Sequence, residues 1–194
     1  SDLEQIGQQV VTDNRPGASG IIGTDLTVKA PPDGYTILLV PSSFGVNPSL
    51  SRKLPYDPIR DLAPVTLVAS APNILVVHPS MPVKSVREFT EYVRARPGKL
   101  SFGSSGNAGS THLAGELFKT MTGVQMVHVP YKGAAQALTD LLGGQIDLMF
   151  ASMPSAMPQV KAGRLRALAV TGAKRSAAVP DVPTVAETGL AGFE

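Results

Sequence analysis

Cysteine is absent from the 194-residue sequence. That excludes disulfides and thiolate metal sites, and it fits an oxidising compartment without demonstrating one. A block of one charge is lacking as well. The 17 Lys and Arg face 15 Asp and Glu, with no basic cluster of the kind that tracks a phosphate backbone, so no nucleic acid is indicated as a partner. Long apolar runs are missing too. "YTILLV" and "NILVV" are among the longest, far below the ~20 residues a spanning helix needs, and no charged-then-apolar leader opens the chain. These absences lead to the expectation of a soluble chain, not itself membrane-spanning, from which any export signal has been removed. What is present suffices for a core: 43% of the residues are hydrophobic, and the length suits one α/β domain or two small ones.

From Leu100 onward, short apolar strands alternate with short helices, the pattern of βαβ units and a parallel sheet. "KLSFGS", "VQMVHV", "IDLMF" and "LRALAV" are predicted strands. Helices are predicted over Thr111 to Met121, with Leu113, Leu117, Phe118 and Met121 on one face, and over Ala134 to Leu142, stopped by Gly143 and Gly144. Another opens at Pro154 and closes at Gly163. "SVREFTEYVRA" places Val86, Phe89 and Val93 at helical spacing behind Ser85 as N-cap. The first part is patchier: a helix at Leu3 and Ile6, strand "QQVVTD", turn "NRPG", a helix through "IIGTDLTVKA", turn "PPDG" and strand "YTILLV". It reads as a second α/β lobe with pieces missing. "APVTLVASAPNILVVHP" gives two apolar strands broken at Pro72, read as the crossing between lobes.

Parallel α/β sheets bind ligands at the carboxyl ends of their strands. The loops there are "GSSGNAGS", "PYKGAA" and "ASMPSA". They offer Ser104, Ser105, Asn107, Ser110, Thr111, Tyr131, Lys132, Ser152 and Ser155, and not one carboxylate. Hydroxyls, one ammonium and the starts of three helices suit an anion. The nucleotide motifs fail one by one. Ser110 stands where a Walker loop needs Lys, the glycines at 103, 106 and 109 miss the dinucleotide spacing, and Asn107 replaces the last Gly of a nucleophile elbow. His112 and Glu116 share a helix face but lack a third ligand, so neither a metal nor a cofactor is indicated. His78 and His128 read as structural, and Met149, Met153 and Met157 as fillers of core gaps. The glycines could equally permit tight turns alone, and Lys132 could simply face water.

The stretches "NRPGASGIIGTDLTVKAPPDGYTILLV", "NPSLSRKLPYDPIRDLAPVTLVA", "FGSSGNAGSTHLAGELFK", "VHVPYKGAAQALTDLLGGQIDLMF" and "KAGRLRALAVTGAKRSAAVPDVPTVAETGLAGFE" run almost end to end. In them the chain resembles the Bug or TctC-like extracytoplasmic solute receptors of tripartite tricarboxylate transporters. The resemblance implies a type II periplasmic binding protein: two α/β lobes, hinge strands, and a small carboxylate held in the cleft between the lobes. It implies a partial first lobe over 1–78, a complete second lobe over 79–174, and a crossing back towards the first over 175–194. Family members carry a Pro-Gly-Gly-rich loop before the first of these stretches and a return to the first lobe after the last, so the first lobe is expected to be incomplete here. Carried over residue by residue, the implied ligand contacts are Ser42, Ser43 and Phe44 in the first lobe. In the second they are Ser105, Gly106, Ser110, Thr111, His112, Tyr131, Lys132, Gly133, Ala134, Ala151 and Ser152. Many relatives carry Asp where this chain has Ala151, which implies a carboxylate without an amine.

The resulting expectation is a periplasmic receptor that binds without breaking a bond and hands its ligand to the membrane subunits of a transporter. No catalytic residue is indicated. An α/β enzyme acting on a small carboxylate and the effector-sensing domain of a transcription regulator are the alternatives, because fold alone does not choose among them.

Overall fold

A computed structural model describes residues 7, 9–15, 17–51 and 53–194. The helix expected at Leu3 and Ile6 lies outside them. The chain divides into two compact units, 1–63 and 64–194.

The second unit carries one sheet of five strands: β1 (Asn73–Val77), β2 (Ser101–Ser104), β3 (Val127–Pro130), β4 (Leu148–Ser152) and β5 (Arg166–Val170). Its helices are α3 (Val86–Arg94), α4 (Ser110–Thr122), α5 (Ala134–Leu142) and α6 (Met153–Lys161), numbered after two helices of the first unit. The strand order is β3-β2-β4-β1-β5. β2 runs parallel to β3 and to β4, as the βαβ pattern requires. β1, which precedes the segments expected to form a parallel sheet, lies between β4 and β5 and is antiparallel to both. "NILVV", read from sequence as part of a crossing, is thus an inner strand of this unit, with all five residues buried.

Alternate residues of the inner strands feed two cores. Leu75, Val77, Leu148 and Phe150 join Val86, Phe89 and Val93 of α3 and Phe118 of α4 on one side. Ile74, Val76, Met149 and Ala151 join Ala137, Leu138 and Leu141 of α5 and Ala156 of α6 on the other. This period of two turns a continuous apolar run into a strand covered on both faces. α3 starts as expected, with the Ser85 hydroxyl accepting from Glu88 N–H at 3.2 Å. α4 ends at Gly123 with φ 69°, a left-handed cap that a Cβ would oppose. Residues 175–194 pack on the second unit: Val170 bridges Thr184, and Phe193 is 1% exposed against Phe118 and Phe150.

The first unit contains α1 (Ile21–Val28) and α2 (Ser43–Leu50). Its expected strands form no ladder among the described residues. Tyr35, Ile37 and Leu39 are 91%, 84% and 77% exposed. A strand is stabilised by the partner it pairs with, and the described part of this chain supplies none. Gly17, Ala18, Ser19 and Gly20 all have positive φ, a tight turn that leads into α1. The Ser19 carbonyl accepts from Ser43 Oγ at 2.9 Å and from Asn47 Nδ2 at 3.2 Å, tying that turn to α2.

Candidate functional site

Because β2, β3 and β4 are adjacent and parallel, the loops after them share one edge of the sheet and lead into α4, α5 and α6. The caps of α4 and α5 are Gly109 and Gly133, which bring no side chain to occupy the first-turn N–H groups. Ser152 caps α6 and pairs its hydroxyl with that of Ser155 at 2.8 Å rather than with the backbone. Three helix starts whose capping residues make no side-chain cap bond therefore lie at this edge of the sheet, α4 on one face and α5 and α6 on the other.

The β2–α4 loop is built in detail. Thr111 is 3% exposed; its hydroxyl accepts from Ser105 N–H at 3.0 Å and lies 3.0 Å from Ser105 Oγ. The Ser104 hydroxyl, fully buried, donates to Gly106 O at 2.9 Å and accepts from Gly106 N–H at 3.3 Å. Ala108 has φ 61°, a left-handed backbone that costs a residue with a Cβ about 1 kcal/mol or more. Its N–H is anchored on His112 Nδ1 at 3.1 Å. The next loop packs alongside, with Tyr131 N–H donating to Ser104 O at 3.1 Å.

The sequence candidates separate by orientation. Ser110 and Lys132 are exposed, and Ser105, Gly106, Gly133, Ala134 and Ser152 are half-buried. No salt bridge among the described residues engages Lys132. Tyr131 turns its hydroxyl to α5, donating to Asp140 Oδ2 at 2.7 Å; burial, then this bond, pushes the phenol up to about 12. Ala151 is fully buried in the core on the α5/α6 face. In the first unit Ser43 is 3% exposed and spent on Ser19, Ser42 is exposed, and Phe44 stacks on Tyr56 with centroids 6.3 Å apart.

The structure also shows what sequence reasoning passed over. His128, read from sequence as structural, has Ser104 Oγ 2.7 Å from its Nε2. The pair is not a hydrolytic dyad, because Ser104 has no exposed surface from which to reach a substrate. His112 stacks on His128 with centroids 3.8 Å apart and 14° between planes. Only the parallel pairing of β2 with β3 brings these residues together, and no spacing in the sequence signals it. Burial, then the neighbouring His112, lowers His128 to about 4; burial likewise lowers His112. Among the described residues no group of three His, Cys, Asp or Glu is placed to hold a metal ion, and no helix is long and apolar enough to cross a membrane.

The fold is that of solved periplasmic binding proteins: the chain superposes on BugD at TM-score 0.91 and 38% identity, covering 99% of this chain and 64% of that one. More narrowly, the chain belongs to the tripartite tricarboxylate transporter family receptors, whose family model matches residues 2–194. It is 41% identical to Protein BugT of Bordetella pertussis over 98% of this chain and 59% of BugT. It superposes on R. palustris Rpa4515 with adipate at TM-score 0.93 and 44% identity, covering 99% of this chain and 64% of that one. MatC from Rhodopseudomonas palustris with bound malate gives TM-score 0.88 at 31% identity, covering 99% and 66%. The chain thus spans about three fifths of the length of the curated relatives it matches.

Proposed function

We propose that the protein is a periplasmic solute-binding receptor for a small carboxylate, which it passes to the membrane subunits of a tripartite tricarboxylate-type transporter. The observation that carries the reading is the edge formed by the loops after β2, β3 and β4. It presents the starts of α4, α5 and α6 together with the Ser105, Ser110 and Ser152 hydroxyls and the Lys132 ammonium, and these loops contain no carboxylate. A carboxylate placed there meets N–H groups and the positive ends of peptide dipoles. Gly106, Thr111, Tyr131, Gly133 and Ala134 shape this subsite by backbone and packing. The adipate of Rpa4515 and the malate of MatC support the ligand class, since both are dicarboxylates. No step of bond making is involved, and recognition proceeds through binding and a shift between conformations.

The test is a calorimetric and thermal-shift panel of mono-, di- and tricarboxylates with their neutral amides. A ligand at 100 times its dissociation constant adds about 2.7 kcal/mol of stability. Stabilisation by a carboxylate and not by its amide is the expected result. Equal response to the amide, or turnover of any carboxylate, overturns the reading.

A further inference from the structure

His112 entered the site as a ligand contact, yet both its nitrogens are turned to the protein. Nδ1 accepts the Ala108 N–H, so the ring proton sits on Nε2, which faces Glu116 Oε1 at 3.8 Å. For His128 the same reasoning applies. Gly106 O can only accept from Ser104 Oγ, at 2.9 Å; with the single hydroxyl proton placed there, the 2.7 Å contact with His128 Nε2 is an N–H donated by the imidazole. Both rings are thereby assigned as neutral Nε2–H tautomers, stacked face to face, with the Phe102 ring 4.9 Å from His128 and 6.3 Å from His112.

We infer that His112 and His128 are positioning residues, a neutral stacked pair that holds the Ser104–Ala108 loop in the shape that receives the carboxylate. The inference rests on the function proposed above for that loop. The two rings hold its two ends: His128 anchors Ser104 at the strand end, and His112 anchors Ala108, whose positive φ needs such a restraint. A proton added to His112 goes to Nδ1, where it points at the Ala108 N–H it formerly accepted. The left-handed turn then loses its anchor. A second charge would lie 3.8 Å from the first ring. The charged groups acting on the pair are Glu116 and Lys119, both on α4, and they are bound to each other at 2.8 Å. Burial opposes charging either ring, in line with the geometry.

This arrangement separates the inference from a direct role for His112. A cationic His112 touching the ligand would raise carboxylate affinity as pH falls through its usual range near 6.5. A neutral positioning ring leaves affinity flat there and weakens it only when the pair is charged.

The experiment is NMR of uniformly nitrogen-15-labelled protein without ligand, followed across pH, with His112→Leu, His112→Asn and His128→Gln alongside. Two-bond couplings should show Nε2–H tautomers in both rings. The Ala108 and Gly106 amide signals should hold still while the imidazole signals report neutral rings and move together with them as the rings charge on acidification. His112→Leu should displace the Ala108 amide, whereas Asn, whose Oδ1 replaces the Nδ1 acceptor, should restore it. His128→Gln, which keeps a donor near the Nε2 position, should leave Gly106 in place. An Nδ1–H tautomer in His112, or a ring that titrates without moving Ala108, overturns the inference. With adipate as probe, affinity should be constant from about pH 7.5 to 6 and about tenfold lower in His112→Leu, with recovery in His112→Asn. A rise in affinity on acidification overturns the inference and returns His112 to the ligand. Failure of the unsubstituted protein to bind any carboxylate defeats the function reading, and the ligand-free spectra then decide whether the two rings hold the loop.

Discussion

The segments "NILVV" (73–77) and "YTILLV" (35–40) have the same β-branched, apolar chemistry, and they end in opposite circumstances. The first is the inner strand β1, paired on both edges and buried at every residue. The second is extended, makes no ladder among the described residues, and leaves Tyr35 and Ile37 91% and 84% exposed. Propensity is equal in the two, so propensity did not decide. What differs is the supply of neighbours: β1 finds β4 and β5 within 64–194, and helices cover both its faces, whereas nothing described in 1–63 pairs with residues 35–40. A strand is a relation between segments rather than a property of one.

The largest test of that contrast lies in the aromatic core of the second unit. Phe118 has no exposed surface and meets Phe89, Phe150 and Phe193 at centroid distances of 5.5, 5.8 and 6.4 Å. Phe118→Ala should cost ~3–5 kcal/mol, by transfer and by the cavity left behind. Urea unfolding followed by circular dichroism measures it. A loss under 1 kcal/mol would mean that the two-faced core does not carry this unit.

Acid should act next, and again on the second unit. The His128 imidazole protonates near 6.5 in an unfolded chain but only near about 4 in the fold, where burial and then His112 oppose the charge. Between those values the unfolded chain binds more protons, so stability rises with pH across that window. It is complete above it and is lost as pH falls towards 4. Urea midpoints at pH 7 and pH 5 should therefore differ, and His128→Gln should shrink the difference. An unchanged midpoint in the unsubstituted protein would show that the ring is charged freely where it sits.

How much of this was legible from sequence follows the same division. From Val86 onward each strand and α-helix was readable because local period and turn chemistry agree: Gly123 and Gly144 supply left-handed turns after α4 and α5, and "VREFTEYVR" places its buried residues on one face. The place of β1 was not readable. Its uninterrupted apolar run has no period, and its antiparallel insertion depends on pairing partners about 70 to 95 residues away in sequence. For the site, the loops and their lack of carboxylates were visible, but side-chain directions were not. Ser43 turns to Ser19, Tyr131 to Asp140 and Ala151 to the core, and each direction is set by a contact from another element. The stacking of His112 on His128 is the extreme case, since only the register of β2 against β3 produces it.

A smaller effect is expected at the start of α3. The Ser85 hydroxyl accepts from Glu88 N–H, and the Glu88 carboxylate in turn accepts from Lys84 N–H at 2.8 Å. Ser85→Ala removes one of these and should cost about 1 kcal/mol, while Ser85→Asp should restore most of it. Equal loss in both variants would place the effect in side-chain packing instead of capping.

The smallest expected effect is the sharpest for the comparison. Leu39 is 77% exposed and belongs to the unpaired segment. Leu39→Ser on this 194-residue chain should change unfolding free energy by no more than about 0.5 kcal/mol, because a side chain in water before and after unfolding contributes to neither difference. The matching change in the paired strand, Leu75→Ser, removes a residue with no exposed surface and buries a hydroxyl in its place, so several kcal/mol should be lost. Near-equal costs would show that residues 35–40 are covered after all. Unequal costs, as expected, would establish that identical apolar patterns contribute to stability only where the chain supplies them with a partner.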